Sequence, residues 1–213
     1  LEVESHNTFP HSSGIASSAS SMSALVLCLL DIERQVLQRD AIDWQRASHF
    51  ARLASGSAAR SVFPEMALWG KTDSFTISSD EYAVSLAEHI HLIFKSYRDS
   101  ILIVSSATKS VSSRAGHALM ENHPYAQARY EQAKRNTEAL LQALKTGDLD
   151  SFMRITESEA MQLHALMMCS NPSFILMKPN TLQIIAAIRQ FREETRLPIC
   201  FTLPEAHNVH LLY

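Results

Sequence analysis

Pro10-His-Ser-Ser-Gly-Ile-Ala-Ser-Ser-Ala-Ser20 leads from an extended segment into an apolar helix, and it is rich in serine. A helix N-terminus presents unpaired N–H groups and a partial positive charge, so it attracts an anion before any side chain contributes. The serine hydroxyls add donors, and Gly14 allows close approach to a phosphate because it has no Cβ. The stretch therefore predicts a phosphate cradle, with ordinary N-capping by serine as the alternative.

The sequence on either side of this stretch changes from a strand pattern to a helix pattern. Residues 1–9 alternate apolar and polar side chains, which predicts a half-buried strand. From Ser17 to about Gln38 the apolar residues recur with helical spacing. The predicted apolar face of this helix consists of Met22, Leu25, Val26, Leu29 and Leu30. Asp43 is a typical N-cap for a second helix over residues 44–53.

Short strands and longer helices alternate along the rest of the chain. The pattern predicts strands at 67–69, 74–77, 100–104, 199–203 and 209–213, and helices at 125–145, 148–169 and 179–195. The alternation is not a strict strand–helix–strand repeat, so it favours an α+β fold with antiparallel sheets. We expect two domains, residues 1–95 and 96–213.

Composition and charge exclude several classes of protein. The net charge of -3 and the pI near 6.4 leave no basic footprint, so we expect no nucleic-acid partner. The apolar run 22–30 is too short to span a bilayer and follows no charged segment, so we expect no membrane association. Cys28, Cys169 and Cys200 are widely separated in apolar contexts, which predicts buried, reduced thiols in a cytoplasmic protein.

Two further serine-rich turns each carry an arginine. They are Ser55-Gly-Ser-Ala-Ala-Arg60 and Ser110-Val-Ser-Ser-Arg-Ala-Gly116. The guanidinium group is a planar fork of donors that suits carboxylate and phosphate, so the turns together predict a small anionic substrate. The alternative is that Arg60 and Arg114 are surface residues in ordinary turns. The histidines show no metal-ligand spacing with a carboxylate partner, so we predict no metal held by protein ligands.

These segments resemble a known family. Pro10-His-Ser-Ser-Gly-Ile-Ala-Ser-Ser-Ala19 is similar to the phosphate-binding motif of the galactokinase, homoserine kinase, mevalonate kinase and phosphomevalonate kinase superfamily. Ser55-Gly-Ser-Ala-Ala-Arg60 resembles the Ser-Gly-Ser-Ala-Cys-Arg signature of mevalonate diphosphate decarboxylases, and Ala67-Leu-Trp69 and Ser112-Ser-Arg114 fall where that family has related segments. The resemblance implies a two-lobed small-molecule-kinase-like fold of antiparallel sheets and packed helices. Residues 1–95 would form the phosphate-binding lobe and 96–213 a ferredoxin-like lobe.

The resemblance also implies a reaction. In the family, the tertiary hydroxyl of mevalonate diphosphate takes the γ-phosphoryl group of ATP, and loss of phosphate and carbon dioxide gives isopentenyl diphosphate for isoprenoid biosynthesis. ATP and Mg²⁺ are the implied cofactors, with Mg²⁺ neutralising the transferred group. The implied ATP-phosphate contacts are Ser13, Gly14, Ile15, Ala16, Ser17 and Ser18. The implied substrate contacts are Ser55, Gly56, Ser57, Ala58, Ala59 and Arg60, with Arg60 on the carboxylate, and Ser113 and Arg114 on the diphosphate.

One segment departs from the family pattern at the catalytic residue. The family places a catalytic aspartate in an Asp-Ala-Gly-Pro-Asn segment, and the corresponding stretch here reads Thr202-Leu-Pro-Glu-Ala-His-Asn208. Pro204 takes the aspartate position, where it cannot accept a proton, and Glu205 is the nearest carboxylate and the candidate catalytic residue. Two alternatives therefore remain: a catalytically impaired or binding-only homologue, and a related small-molecule kinase.

The resemblance implies more chain than these residues provide. The family has an N-terminal strand-rich segment with a lysine and a tyrosine that contact substrate, which nothing here matches, and it continues past the position of Tyr213. A sheet that lacks strands either exposes an edge or completes it with a partner. A homodimer is one expected way to complete it.

Overall fold

The computed structural model describes residues 2–9, 15–105, 118, 120–204 and 207–213. The chain divides into two compact units, Ala16–Ile90 with the residues before Pro10, and His91–Tyr213. Each unit combines helices with one small antiparallel sheet. This arrangement confirms the predicted α+β class. Within the described residues, no helix has both the length and the apolar character needed to cross a membrane.

The first unit packs helices against each other through small side chains. Its elements are α1 (Ser17–Val36), α2 (Trp44–Ala54), α3 (Ala58–Ser61), β1 (Ala67–Trp69) and β2 (Ala83–Ser85), and the two strands pair antiparallel. Ala47, Ala51 and Ala58 are fully buried where the three helices meet. Because alanine has only a methyl group, the helix backbones can approach closely at this point.

The first two helices begin and end close to the predicted positions. The side chain of Asp43 caps α2 as expected, accepting the backbone N–H of Arg46 at 3.0 Å. The face of α1 that reaches the core differs from the prediction in part, since Leu29 is 43% exposed while Ala19 and Leu30 are buried. Because α2 and α3 cover only part of the apolar stripe of α1, the rest of the stripe faces solvent.

The second unit places three long helices with a three-stranded sheet. Its elements are a 3₁₀ helix (Leu92–Ser96), β3 (Asp99–Leu102), α4 (Ala126–Thr146), α5 (Leu149–Cys169), α6 (Pro179–Thr195), β4 (Cys200–Thr202) and β5 (Val209–Leu212). The strand order is β3-β5-β4, and both pairings are antiparallel. The core of this unit joins Ala160 of α5 and Ile185 of α6 to Phe201 of β4 and Val209 of β5.

Two consecutive residues produce the turn between α4 and α5. Gly147 ends α4 with φ of 81°, and a Cβ at this position would lie 2.7 Å from Nδ1 of His91. Asp148 then caps α5 by accepting the backbone N–H of Ser151 at 3.0 Å. Glycine is therefore required both for its positive φ and for the close contact with the imidazole ring.

Three predictions from the sequence are wrong. The described residues 2–9 form no strand, because a strand needs a neighbour for its backbone hydrogen bonds and none of the described strands pairs with them. Residues 74–77 form turns and bends instead of a strand. Cys28 and Cys169 are exposed, and only Cys200 is buried. The apolar contexts misled the prediction because Cys28 lies on the solvent side of α1 and Cys169 ends α5.

Candidate functional site

The turn between α2 and α3 contains the six residues predicted to contact substrate near its carboxylate. Ser55 follows the last residue of α2 and donates its N–H to the carbonyl of Ala51 at 2.9 Å. Its own carbonyl accepts the N–H of Ala58 at 2.8 Å, which starts the next short helix. Ala58 and Ala59 are fully buried, whereas Arg60 is exposed. The turn is therefore anchored in the core and projects the arginine outward.

Ser48 fixes the position of this turn. It is fully buried on α2, where its hydroxyl donates to the carbonyl of Ala59 at 2.8 Å and accepts the N–H of Ala83 at 2.8 Å. One side chain thus joins α2, the Ser55–Arg60 turn and the edge of β2. Sequence reasoning missed Ser48. A serine among apolar neighbours on a helix is its only local signal.

Trp69 on β1 forms the wall beside the turn. Its indole Nε1–H donates to the carbonyl of Asp80 at 2.9 Å, which fixes the ring. A Cβ added at Gly56 would lie 3.1 Å from the ring edge, so glycine provides the space that the ring occupies. The Arg60 guanidinium carbon lies 5.8 Å from the ring centroid. This distance is within the range of a cation–π contact.

The charge of Arg60 is uncompensated in the part of the chain that the structure describes. No carboxylate there forms an ion pair with it. Although the residue as a whole is exposed, partial desolvation of its guanidinium lowers the pKa of Arg60, because desolvation disfavours the charged form. The arginine nevertheless keeps its charge at neutral pH. A half-desolvated guanidinium with free donors is suited to bind an anion.

The start of α1 lies beside this turn. Ala16 precedes the helix with φ of 52°, and its own methyl side chain provides no cap for the N-terminus. The first turn of the helix contains no acidic residue, so the partial positive charge at this end is not neutralised locally. The hydroxyl of Ser55 donates to the hydroxyl of Ser18 at 3.3 Å. The structure thus brings together a predicted ATP-phosphate residue and a predicted substrate residue.

The chemistry of the described donors fits a nucleotide phosphate group. Serine hydroxyls and helix N–H groups are donors suited to phosphate oxygens. Among the described residues, no three His, Cys, Asp or Glu side chains gather as a metal site. A magnesium ion bound at this place would therefore be held mainly by the phosphates, as is common for Mg²⁺.

Several predicted site residues lie outside the described residues. They are Ser13, Gly14, Ser113, Arg114 and Glu205. Their assignments remain predictions from the sequence.

Four buried polar side chains lie in or beside the connection between β4 and β5 in the second unit. They are His164, Thr181, His207 and Asn208. His164 Nε2 donates to the carbonyl of Pro204 at 3.2 Å, and the Thr181 hydroxyl donates to the carbonyl of His207 at 2.7 Å. Sequence reasoning missed His164 and Thr181, because a polar residue within an apolar helix gives no sign of which distant carbonyl it will meet.

Comparison with known proteins relates both units to one family. The profile of the "Diphosphomevalonate decarboxylase-like N-terminal domain" matches residues 1–83, and that of the "Mevalonate 5-diphosphate decarboxylase C-terminal domain" matches residues 100–209. The diphosphomevalonate decarboxylase of Ganoderma lucidum is 31% identical over 193 residues, which are 90% of this chain and 46% of that protein. The chain spans about half the length of the curated relatives it matches.

Solved structures relate the chain to the same family. A mevalonate diphosphate decarboxylase from Legionella pneumophila superposes with a TM-score of 0.80 at 32% identity, covering 97% of this chain and 62% of that one. A second structure, described as "MDDEF in complex with MVAPP, AMPPCP and Magnesium", superposes with a TM-score of 0.74 at 27% identity. It covers 96% of this chain and 59% of the other.

Proposed function

The chain belongs to the diphosphomevalonate decarboxylase family, and on that basis we propose that it takes part in the ATP-dependent decarboxylation of mevalonate diphosphate to isopentenyl diphosphate. The observation that carries the proposal is the Ser55–Arg60 turn. In one compact unit it places a guanidinium, which has no carboxylate partner among the described residues, close to the start of α1, through the hydrogen bond between the hydroxyls of Ser55 and Ser18. A carboxylate site beside a phosphate site is what this reaction requires.

Each part of the site has a distinct task in the proposed reaction. The N-terminus of α1, with Ser17 and Ser18, binds the ATP phosphates through N–H and hydroxyl donors. Arg60 orients the substrate carboxylate, and the indole of Trp69 excludes water from one side of the guanidinium. Phosphorylation of the tertiary hydroxyl makes it a leaving group, and the held carboxylate departs as carbon dioxide while the alkene forms.

We propose the cofactors from the same family relationship. The solved relative bound to an ATP analogue and magnesium supports ATP and Mg²⁺ as cofactors of this chain. Mg²⁺ supplies neutralisation of the transferred phosphoryl charge when it is bound. The serine hydroxyls at the start of α1 bind the phosphate oxygens. Ser113 and Arg114 are proposed to bind the substrate diphosphate.

A second candidate function is binding without turnover. Pro204 stands where the family has its catalytic aspartate, and a proline cannot accept the hydroxyl proton. Glu205 is the proposed substitute. If Glu205 does not reach the hydroxyl, the chain binds ATP and mevalonate diphosphate but does not decarboxylate.

One assay separates the candidates, including the related kinase. The 213-residue chain is incubated with ATP, Mg²⁺ and mevalonate diphosphate, and both phosphate and carbon dioxide are measured. A decarboxylase releases both products, whereas a kinase consumes ATP without releasing carbon dioxide. Binding without turnover gives neither product, although mevalonate diphosphate still raises the melting temperature. A chain that shows none of these responses contradicts the proposal.

Restoring the family residues tests the role of the altered segment. We expect Pro204→Asp combined with Ala206→Gly to raise carbon dioxide release by at least about tenfold, in the lower range for general base catalysis. The matched control is Pro204→Asn with Ala206→Gly, which has similar shape but no base. Equal rates for the two double variants would show that a carboxylate at position 204 does not act as the base.

Three broader proposals follow from the family. The two units are proposed to be the phosphate-binding lobe and the ferredoxin-like lobe. The three free cysteines support a reducing, cytoplasmic location. A homodimer is the proposed assembly, and light scattering of the purified chain measures its mass directly.

A further inference from the structure

Two segments with predicted functional residues leave the sheet of the second unit at the same place. β3 ends at Leu102, and the chain continues through Ser105 toward Ser113 and Arg114. β4 ends at Thr202, and the chain continues through Pro204 and Glu205 to the start of β5 at Val209. Because Leu102 pairs with Val209, the exit from β3 and the entry to β5 are neighbours.

Asn208 joins these two points directly. Its side chain is fully buried, and its Oδ1 accepts the backbone N–H of Val104 at 2.9 Å and of Ser105 at 3.2 Å. The amide oxygen of Asn208, the last residue of the second segment, therefore holds Val104 and Ser105 of the first segment. No apolar side chain of similar size could replace this acceptor, because two backbone donors would lose their partner.

The other three polar side chains complete a cluster around Asn208. His207 Nε2 donates to the carbonyl of Ser105 at 2.9 Å. The second segment therefore both donates hydrogen bonds to the first, through His207, and accepts them from it, through Asn208. The Thr181 hydroxyl donates to the carbonyl of His207 and accepts the N–H of Lys178 at 3.1 Å, which ties the second segment to the start of α6. His164 holds the carbonyl of Pro204 from α5.

Burial of the four side chains makes displacement of either segment costly. His164 is 1% exposed, Thr181 and Asn208 are 0% exposed, and His207 is 6% exposed. Apart from the bond between Thr181 and Lys178, each side-chain hydrogen bond given above for these four residues joins a side chain to the backbone of one of the two segments. A buried polar group without a partner is costly, so displacement of either segment would be opposed by several groups at once.

We propose that His164, Thr181, His207 and Asn208 are positioning residues that fix Val104 and Ser105, which lead toward Ser113 and Arg114, relative to Pro204 and His207, which flank the candidate base in the sequence. This inference rests on the proposed function. Misplacement of reacting groups by about an ångström can cost two orders of magnitude in rate. A cluster that joins the two segments at their points of exit limits such misplacement without touching the substrate.

Two variants of Asn208 test the inference in the 213-residue chain. Asn208→Leu removes the acceptor at nearly constant size, and Asn208→Asp keeps an oxygen at the same place. We expect Asn208→Leu to weaken the affinity for mevalonate diphosphate at least tenfold in titration calorimetry, and Asn208→Asp to recover most of that loss. The affinity for an ATP analogue should stay within twofold of wild type in both variants.

A milder pair of variants keeps the test valid if Asn208→Leu does not fold. Thr181→Val removes one buried hydroxyl from the cluster. Ser170→Ala removes another buried hydroxyl, which donates to the carbonyls of Met167 at 2.8 Å and Pro172 at 2.7 Å, away from both segments. We expect Thr181→Val to weaken mevalonate diphosphate binding several-fold and to speed hydrogen exchange at the Ser105 amide, and Ser170→Ala to do neither.

The outcomes separate the inference from the function on which it rests. A wild-type chain that does not bind mevalonate diphosphate overturns the proposed function and the inference together. A wild-type chain that binds it, with Thr181→Val and Asn208→Leu binding equally well, overturns the inference alone. Equal weakening by Thr181→Val and Ser170→Ala would also overturn it, because the loss would then follow from stability and not from position.

Discussion

Arg60 shows how one residue combines charge, shape and partial burial. Its guanidinium lies over the indole of Trp69, and among the described residues it has no carboxylate partner. A lysine would keep the charge but lose both the planar fork and the stacking contact. We therefore expect a lysine at position 60 to bind an anion less well than arginine does, although it carries the same charge.

We expect Arg60→Lys to weaken binding of mevalonate diphosphate about tenfold, because an ammonium cannot engage a carboxylate with two parallel hydrogen bonds. Titration calorimetry measures the affinity. The matched control is Arg52→Lys in the same unit, since Arg52 pairs with Glu81 and lies outside the proposed substrate contacts. Equal losses in the two variants would contradict a specific role for Arg60.

Cys200 illustrates an effect of burial on a single ionisable group. Burial raises the pKa of the Cys200 thiol to about 11, and burial also raises the pKa of its hydrogen-bond partner Tyr97. We expect a thiol reagent at about pH 8 to modify Cys28 and Cys169 in the folded chain, and Cys200 only after unfolding, since the thiolate is the reactive form. Replacing both exposed cysteines by serine should leave no reactive thiol in the folded chain.

The same shift predicts the sign of a pH effect on stability. The folded-state pKa of Cys200 lies above the ordinary thiol value of 9.0, so the stabilisation from the protonated thiol is complete below that pH. It is lost as the pH rises toward about 11. Urea unfolding at increasing pH measures this loss, and the Cys200→Ala variant should show a weaker dependence. An unchanged dependence in that variant would assign the effect to other groups.

At the scale of elements, the first unit depends on contacts between neighbours in space. Asp43 caps α2 from its own local sequence, and helices α4 to α6 begin and end within a few residues of the predicted positions. Ser48, in contrast, connects α2, α3 and β2, which are separated along the chain. Hydrophobic periodicity could predict the helices, but it could not predict which helix face would be covered or which serine would join three elements.

We expect Ser48→Ala to lower the free energy of unfolding by about 2 kcal/mol, because it leaves a buried carbonyl and a buried N–H without their partner. It should also weaken substrate binding, since the carbonyl of Ala59 belongs to the Ser55–Arg60 turn. Urea unfolding followed by tryptophan fluorescence measures the first effect. Ser57→Ala in the same turn is the control for stability, and a similar loss of unfolding free energy in both variants would contradict the bridging role of Ser48.

At the scale of the whole molecule, the two units have separate cores and separate sheets. Both tryptophans of the chain, Trp44 and Trp69, belong to the first unit. The second unit contains an ion pair between the buried Glu157, which is 7% exposed, and the half-buried Arg192, at 2.5 Å. The units can therefore be perturbed and observed independently.

We expect Glu157→Gln to destabilise the second unit by about 2 kcal/mol, since it leaves the half-buried Arg192 without its ionic partner and solvent screening makes this loss smaller than for a fully buried pair. The transition measured by circular dichroism should shift, while the transition measured by tryptophan fluorescence should stay near its wild-type midpoint. Glu194→Gln on α6, at an exposed position, should change neither. Equal shifts of both transitions after Glu157→Gln would show that the two units unfold as one.

The sequence by itself determined the α+β class, the bounds of the five longer helices to within a few residues, the Asp43 cap of α2, four of the five described strands and the resemblance carried by residues 10–19 and 55–60. These features depend on residues close together in the chain, through periodicity, capping and turn chemistry. The tertiary structure alone decided that residues 2–9 form no strand, that Leu29 faces solvent, and that Ser18 meets Ser55. It also decided the buried cluster around Asn208. Burial and hydrogen-bond satisfaction depend on partners distant in the chain, and no local pattern specifies which partners these will be.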